Sequence, residues 1–461
     1  MAPQIDRKPE VIAQRTGVDA LSHQHLAMRL IQHMEVLPLG SVISIQGSWG
    51  RGKTDVLARA YIELSTRAGQ EGRPEPLWLN PWQYGTPDLI RPVVLNLLGR
   101  LQPNQRSSNT LRRAVKTLLR ASNAMLFKAL TIVAPFGEIL GAAEGSVDDF
   151  IKELFDPQQG SGSVGQDADP VAAMAERFRE LVDEYLTLKN HTAGRLIICV
   201  DDLDRCLPDH QIAMLEAIYF LTGAGANCSF LIALDPTLVQ QAAVTHYKTA
   251  GFDSNQYLDK LFDLRINLRS LHQVSIEKLM RNELLRDVQM AENQITIGSL
   301  LHDAWSTETE QVVDVFSEIF ILPELTNPRL VHRIVDRLQL LARASLIAKD
   351  MRLRNSEMFR AVVLWCTIAE RWPQVRQTLQ ATVARSWGLN LELLAFSYGW
   401  YDGSTKLFEE GLVRNRNFIA RMPDKDKSPD LGQFIFEQIS SSYEMAEKLA
   451  EVDNVMLELG L

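Results

Sequence analysis

GSWGRGKT, residues 47–54, stands between SVISIQ (41–46) and DVLARAYIEL (55–64). Val42, Ile43 and Ile45 form a short apolar run suited to a buried strand, and Val56, Leu57, Ala60 and Ile62 recur at helical spacing. Strand, glycine loop, helix is the order in which backbone N–H groups can close around a phosphate chain. Gly47, Gly50 and Gly52 let the loop turn inward without Cβ clashes, and the helix N-terminus adds a favourable dipole. In the spacing G-x-x-x-x-G-K-[ST], Lys53 is expected to reach the β- and γ-phosphates and the Thr54 hydroxyl to ligate Mg²⁺. Ser48, Trp49 and Arg51 within the loop, and Asp55 after it, belong to the same nucleotide-contacting stretch.

Such a loop needs a second strand that carries a carboxylate. RLIICVDDLDRC (195–206) supplies one, because Leu196–Val200 is apolar at every position and runs straight into Asp201 and Asp202. A run that is apolar on both faces reads as a central parallel strand, and ligands bind at the carboxyl ends of such strands. Asp201 is expected to hold Mg²⁺, and Asp202 to polarise the attacking water, with Asp204 the next carboxylate in line. The bland alternative is a solvated acidic turn. A third strand, CSFLIALD (228–235), ends in Asp235. That residue can sense the γ-phosphate, or cap the helix that Pro236 opens, and the two roles are compatible.

Bulk properties set the frame. A chain of 461 residues is long enough for roughly two to four domains. Apolar residues at 46% and charged residues at 23% are the composition of a globular protein. The net charge of −9 gives no global attraction to nucleic acid or anionic lipid, which leaves only local basic stretches for such partners. Cys199, Cys206, Cys228 and Cys366 show no CxxC spacing, and the nine histidines no HExxH, so a zinc site or disulfide framework is not expected. The opening MAPQIDRKPEVIAQRTG has no apolar run of a secretory signal, and a cytoplasmic protein is the expectation.

GSWGRGKT, WLNPWQY (78–84), ICVDDLDRC, FLIALD, YLDKLF (257–262), NPRLVHRIVDRL (327–338) and ERWP (370–373) follow in that order. Together they resemble the KAP family of P-loop NTPases, in the AAA+/STAND branch, over about residues 15–375. Trp49 inside the loop, the Asn80-Pro81-Trp82 triplet and the DDLDRC run carry the resemblance in combination. It implies an ATPase whose turnover drives or resets a conformational or assembly state. Bacterial members look like parts of phage-defence or membrane-associated systems, so companion proteins encoded nearby and a homo-oligomer are implied as partners. YLDKLFDLRINL resembles the AAA+ segment that carries a trans-acting cation, with Lys260 near that position and Arg265 and Arg205 as competitors. Arg205 alternatively pairs with Asp202 or Asp204 and holds the acidic turn rigid. Arg329 matches the place of a sensor arginine at the start of a lid helix, against the plain reading of a solvated helix-end charge.

The expected fold is α/β: a P-loop core of ASCE/AAA+-like type with a parallel sheet, a helical insert, a helical lid and an all-α C-terminal region. The core occupies 1–100 and 191–270, the insert with its linker 101–190, the lid 271–375 and the C-terminal region 376–461. From 271 onward the reading is helical, without strands. The insert opens basic and amphipathic, TLRRAVKTLLRASN (110–123), and continues AMLFKALTIVAPFGEILGAA (124–143). That stretch has bilayer length, yet Lys128, Pro135 and Glu138 interrupt it, and helices that lie on a membrane surface or stay in solution are favoured over a span. Two functions from different classes remain: an ATP-hydrolysing switch, and a nucleotide-locked scaffold that scarcely turns over. A P-loop kinase is weaker, for want of a lid of clustered arginines.

Overall fold

A computed structural model describes residues 9–10, 19, 21–68, 72–85, 87–126, 170–190, 194–223, 225–248, 252–268, 272–290, 293–322, 325–382, 386–398, 400, 419–423, 428–439 and 443–460. The chain divides into two compact units, residues 1–268 and 269–461.

The first unit is built on a parallel sheet of five strands: β1 (Val42–Gln46), β2 (Glu75–Leu79), β3 (Leu196–Val200), β4 (Cys228–Leu234) and β5 (Leu264–Asn267). Their order is β2-β3-β4-β1-β5, with every pairing parallel. One strand, β4, therefore separates the strand before the glycine loop from the strand before the acidic turn, which is the ASCE/AAA+-like arrangement. All residues of β1, β3 and β4 are buried, as strands covered on both faces must be.

Alternation along the strands sends side chains into two separate cores. On one face Ile43, Ile45, Ile197, Cys199, Leu231 and Ala233 meet α1 (His23–Val36) and α2 (Lys53–Arg67). On the other, Leu196, Ile198, Val200, Phe230 and Ile232 meet α4 (Ile90–Gly99), α5 (Asn109–Leu126), α6 (Pro170–Leu188), α7 (Pro208–Gly223) and α8 (Pro236–Tyr247). A single turn, α3 (Pro81–Tyr84), follows β2, and α9 (Ser254–Leu261) precedes β5. The half-buried alternation of β5 is that of an edge strand, as Phe262, Leu264, Ile266 and Leu268 lead one to expect.

α5 and α6 are helices of the stretch 101–190 that is expected to form an insert. Leu111, Ala114, Val115 and Leu118 lie on one stripe of α5 and are buried with Phe178, Leu181 and Tyr185 of α6. The apolar face of 110–119 is thus spent inside the protein, and what it turns outward is polar: Arg113 is exposed. The remainder of the stretch expected to touch a membrane, 127–143, lies outside the described residues, as do Lys128, Pro135 and Glu138. No helix among the described residues is long and apolar enough to cross a membrane.

The second unit is mainly helical: α10 (Gln273–Leu284), α11 (Ile297–Trp305), α12 (Thr309–Ile319), α13 (Pro328–Ala348), α14 (Ser356–Arg371), α15 (Pro373–Gln380), α16 (Trp387–Ser397), α17 (Pro429–Gln438) and α18 (Tyr443–Glu458). α13 opens where Asn327 and Pro328 predict, with Asn327 Oδ1 accepting from Arg329 N at 3.0 Å, and its stripe Leu330, Ile334, Leu338 and Leu341 is buried. β6 (Asp287–Met290) and β7 (Asn293–Thr296) form an antiparallel hairpin where strands were not expected. Four-residue strands offer too short a period-2 signal to stand out between helices, and it is the pairing of Val288 with Ile295 that settles their conformation.

Candidate nucleotide site

Residues 47–52 leave the carboxyl end of β1, and both neighbouring strands anchor them. Gly47 N donates to Leu234 O at 3.3 Å, and Leu268 N to Gln46 O at 2.7 Å. Gly50 and Gly52 have φ of 87° and 91°, the left-handed region that the inward turn requires. Gly52 is constrained in space as well, since a Cβ there would lie 2.3 Å from His23 Cε1. Ser48 and Trp49 are exposed, Trp49 by 54%, and Arg51 Nε donates to Ser48 Oγ at 3.2 Å.

Lys53, first residue of α2, is buried and curls back over the loop. Its Nζ donates to Gly47 O at 2.8 Å and to Ser48 O at 3.4 Å, and it lies 3.3 Å from Asp204 Oδ2. Thr54 Oγ1 donates to Asp201 Oδ1 at 3.0 Å. That contact joins the two motifs across 147 residues of sequence. A hydroxyl and a carboxylate in contact are hard oxygen donors, the set that Mg²⁺ uses when phosphates complete its shell, so Thr54 and Asp201 fit the ion. Asp55 faces away from this pair: His23 Nδ1 meets its Oδ2 at 2.6 Å, and Arg59 Nε donates to both its oxygens at 3.1 Å.

The acidic turn splits its carboxylates. Asp202 has φ 57°, which rotates its side chain out of the strand direction. Its Oδ2 accepts from Asn80 Nδ2 at 3.0 Å and its Oδ1 is paired with Arg205, whose guanidinium lies 5.8 Å from the centre of the Trp82 ring. Arg205 thus pairs with Asp202 within its own turn. Trp82 is 49% exposed, while Tyr84 OH accepts from Asn96 Nδ2 at 3.4 Å. Asp204 returns toward the glycine loop, its Oδ2 accepting from Asp235 N at 2.9 Å. Asp235 caps α8, accepting from Thr237 N at 3.0 Å, so the capping reading holds and its own N–H holds Asp204.

Lys260 is exposed in the last turn of α9, three residues before Asp263, whose N–H donates to Val42 O at 2.9 Å. It therefore belongs to the amino-terminal end of the sheet, opposite the loop. Arg265 beside it pairs with Asp259 at 2.5 Å. Arg329 is exposed at the start of α13 in the second unit.

Two residues at the site carry no expectation of their own from sequence: Asn80 stands only within the NPW triplet, and His23 has none. Asp204 stands only as next in line after Asp202. The signals were faint: a three-residue step from Asp201 to Asp204 through a tight turn, and a histidine at the head of the stripe Ala27, Leu30, Ile31 and Met34.

A family model described as the KAP family P-loop domain matches residues 24–344. No curated protein matches the chain. Among solved structures, the Aeropyrum pernix ORC2 protein in its ADPNP–ADP complexes is 12% identical, with 96% of this chain and 94% of that one covered at a TM-score of 0.38. Drosophila ORC bound to DNA is also 12% identical, with 98% and 90% covered at a TM-score of 0.33.

Proposed function

The chain belongs to the KAP family of P-loop NTPases, and from that footing we propose that it binds ATP with Mg²⁺ and hydrolyses it, as a switch that controls a partner protein or an assembly. The observation that carries this reading is the meeting of Thr54 Oγ1 with Asp201 Oδ1 at 3.0 Å beside a lysine folded over the loop. In this reading Gly47, Ser48, Trp49, Gly50, Arg51 and Gly52 present backbone N–H groups to the phosphates, and Lys53 moves from Gly47 O to the β- and γ-oxygens. Thr54 and Asp201 would hold Mg²⁺, which when bound would neutralise phosphate charge. Asp235 supports the acidic turn, and Asp55 braces the helix start.

Around this core, residues 101–190 are an insert, 271–375 a lid led by Arg329, and 376–461 a C-terminal region. A homo-oligomer with Lys260 acting on a neighbouring site, companion proteins encoded nearby and a place in phage defence extend the same reading. Phosphate release by the purified protein tests it against the nucleotide-locked scaffold. The expected result is release that disappears in Lys53→Ala, together with ATP retention, while thermal unfolding is unchanged. Equal ATP affinity of Lys53→Ala and wild type by calorimetry sinks the assignment of the loop. Tight ATP binding without release favours the scaffold.

A further inference from the structure

Resting on the reading that the chain hydrolyses ATP, we propose that Asp204, not Asp202, is the carboxylate that orients and deprotonates the attacking water, and that Asp202 latches the acidic turn in place. The sheet separates the two carboxylates. In the order β2-β3-β4-β1, the glycine loop follows β1 and Asp235 follows β4, while Asn80 follows β2. Asp202 turns toward the β2 side, where Asn80 and Arg205 occupy both its oxygens. Asp204 turns the other way, over β4, and touches Lys53 Nζ at 3.3 Å and Asp235 N at 2.9 Å. The phosphates sit on that side, because the loop that cradles them does.

The detail of Asp204 fits the task. Both contacts fall on Oδ2, so a charged donor and a fixed backbone N–H set the carboxylate's orientation. Oδ1 has no hydrogen-bond partner among the described residues and is left as an acceptor. The cation beside Asp204 is the one expected to grip the γ-phosphate, so a water bonded to Oδ1 lies close to the γ-phosphorus. The water oxygen forms a bond to the γ-phosphorus, and the bond to the β,γ-bridging oxygen breaks with its electron pair leaving on ADP. The water proton passes to Asp204 Oδ1 and from there to solvent. Asp202 takes no part in bond making. With φ 57° at the strand tip, its bonds to Asn80 and Arg205 keep the turn in the shape that delivers Asp204.

The test compares wild type, Asp202→Asn and Asp204→Asn for ATP dissociation constant, single-turnover cleavage and thermal unfolding. Asp204→Asn is expected to cleave roughly 100-fold or more slowly, and Asp202→Asn to stay within about tenfold of wild type. Asp204→Asn should also bind ATP at least as tightly as wild type, because Lys53 loses a carboxylate that competes with phosphate. A purely structural Asp204 would weaken binding and cleavage together. Should the Asn variant not fold, Asp204→Ser takes its place with the same expectations. Wild-type cleavage by the Asp204 variant, or a matching loss of binding, overturns the assignment and leaves the hydrolysis reading standing. Wild-type cleavage no faster than Lys53→Ala removes the hydrolysis reading and this inference with it.

Discussion

Cys206 closes the acidic turn, half-buried and two residues from Asp204. Burial and then the Asp204 carboxylate disfavour its thiolate, and its thiol is pushed up to about 11. Near pH 8 it is therefore almost wholly protonated, with a thiolate fraction roughly 100-fold below that of an ordinary cysteine. Iodoacetamide labelling followed by mass spectrometry should show Cys206 reacting well below the rate of an ordinary cysteine, though by less than that factor because a more basic thiolate is a better nucleophile. Asp204→Asn should speed it, since one of the two causes is removed. A fast Cys206 in the native protein, or one indifferent to residue 204, contradicts the placement of the carboxylate. The measurement needs no nucleotide, so it checks the geometry of the turn apart from any activity.

The contact between α1 and the glycine loop shows what one element can impose on another. His23 heads the buried stripe of α1 and lies against Gly52, held there by Asp55, which Arg59 of α2 in turn fixes. Gly52→Ala meets two penalties: a left-handed φ of 91°, and a Cβ 2.3 Å from His23 Cε1. The backbone penalty alone is about 1–2 kcal/mol. Urea unfolding of Gly52→Ala should show at least that loss, and Gly52→Ala combined with His23→Ala should recover the steric part but not the backbone part. If His23→Ala recovers nothing, the imidazole does not confine the loop. The glycine was legible from the motif. The reason it cannot carry a Cβ here was not, because His23 is 29 residues away and enters only when α1 packs on α2.

At the scale of the whole molecule, the proposed hydrolysis calls for a second chain. Lys260 sits at the amino-terminal end of the sheet, so in its own chain it cannot serve the loop at the carboxyl ends. The proposed trans role requires a neighbour. Hydrolysis should then rise faster than linearly with protein concentration, and Lys260→Ala should bind ATP normally but lose that dependence. Mixing Lys260→Ala with Lys53→Ala should restore part of the activity, since each chain supplies what the other lacks. Activity independent of concentration in a demonstrated monomer returns Lys260 to a plain surface charge.

Patterns local in sequence were enough to specify the strand–loop–helix at 42–67, the apolar strand ending at Asp201, the cap at Asp235, and the stripe and start of α13. Each depends on residues within a few positions of one another, where period, turn chemistry and capping act directly. The order of the strands, the hairpin at 287–296 and the different partners of Asp202 and Asp204 do not. Side by side in the DDLD run, the carboxylates look interchangeable. The left-handed turn at Asp202 and the strands on either side separate them, sending one toward Asn80 and the other toward Lys53. A carboxylate's role is set by the charges and donors that surround it. In this chain those partners come from four different strand ends, which only the folded sheet brings together.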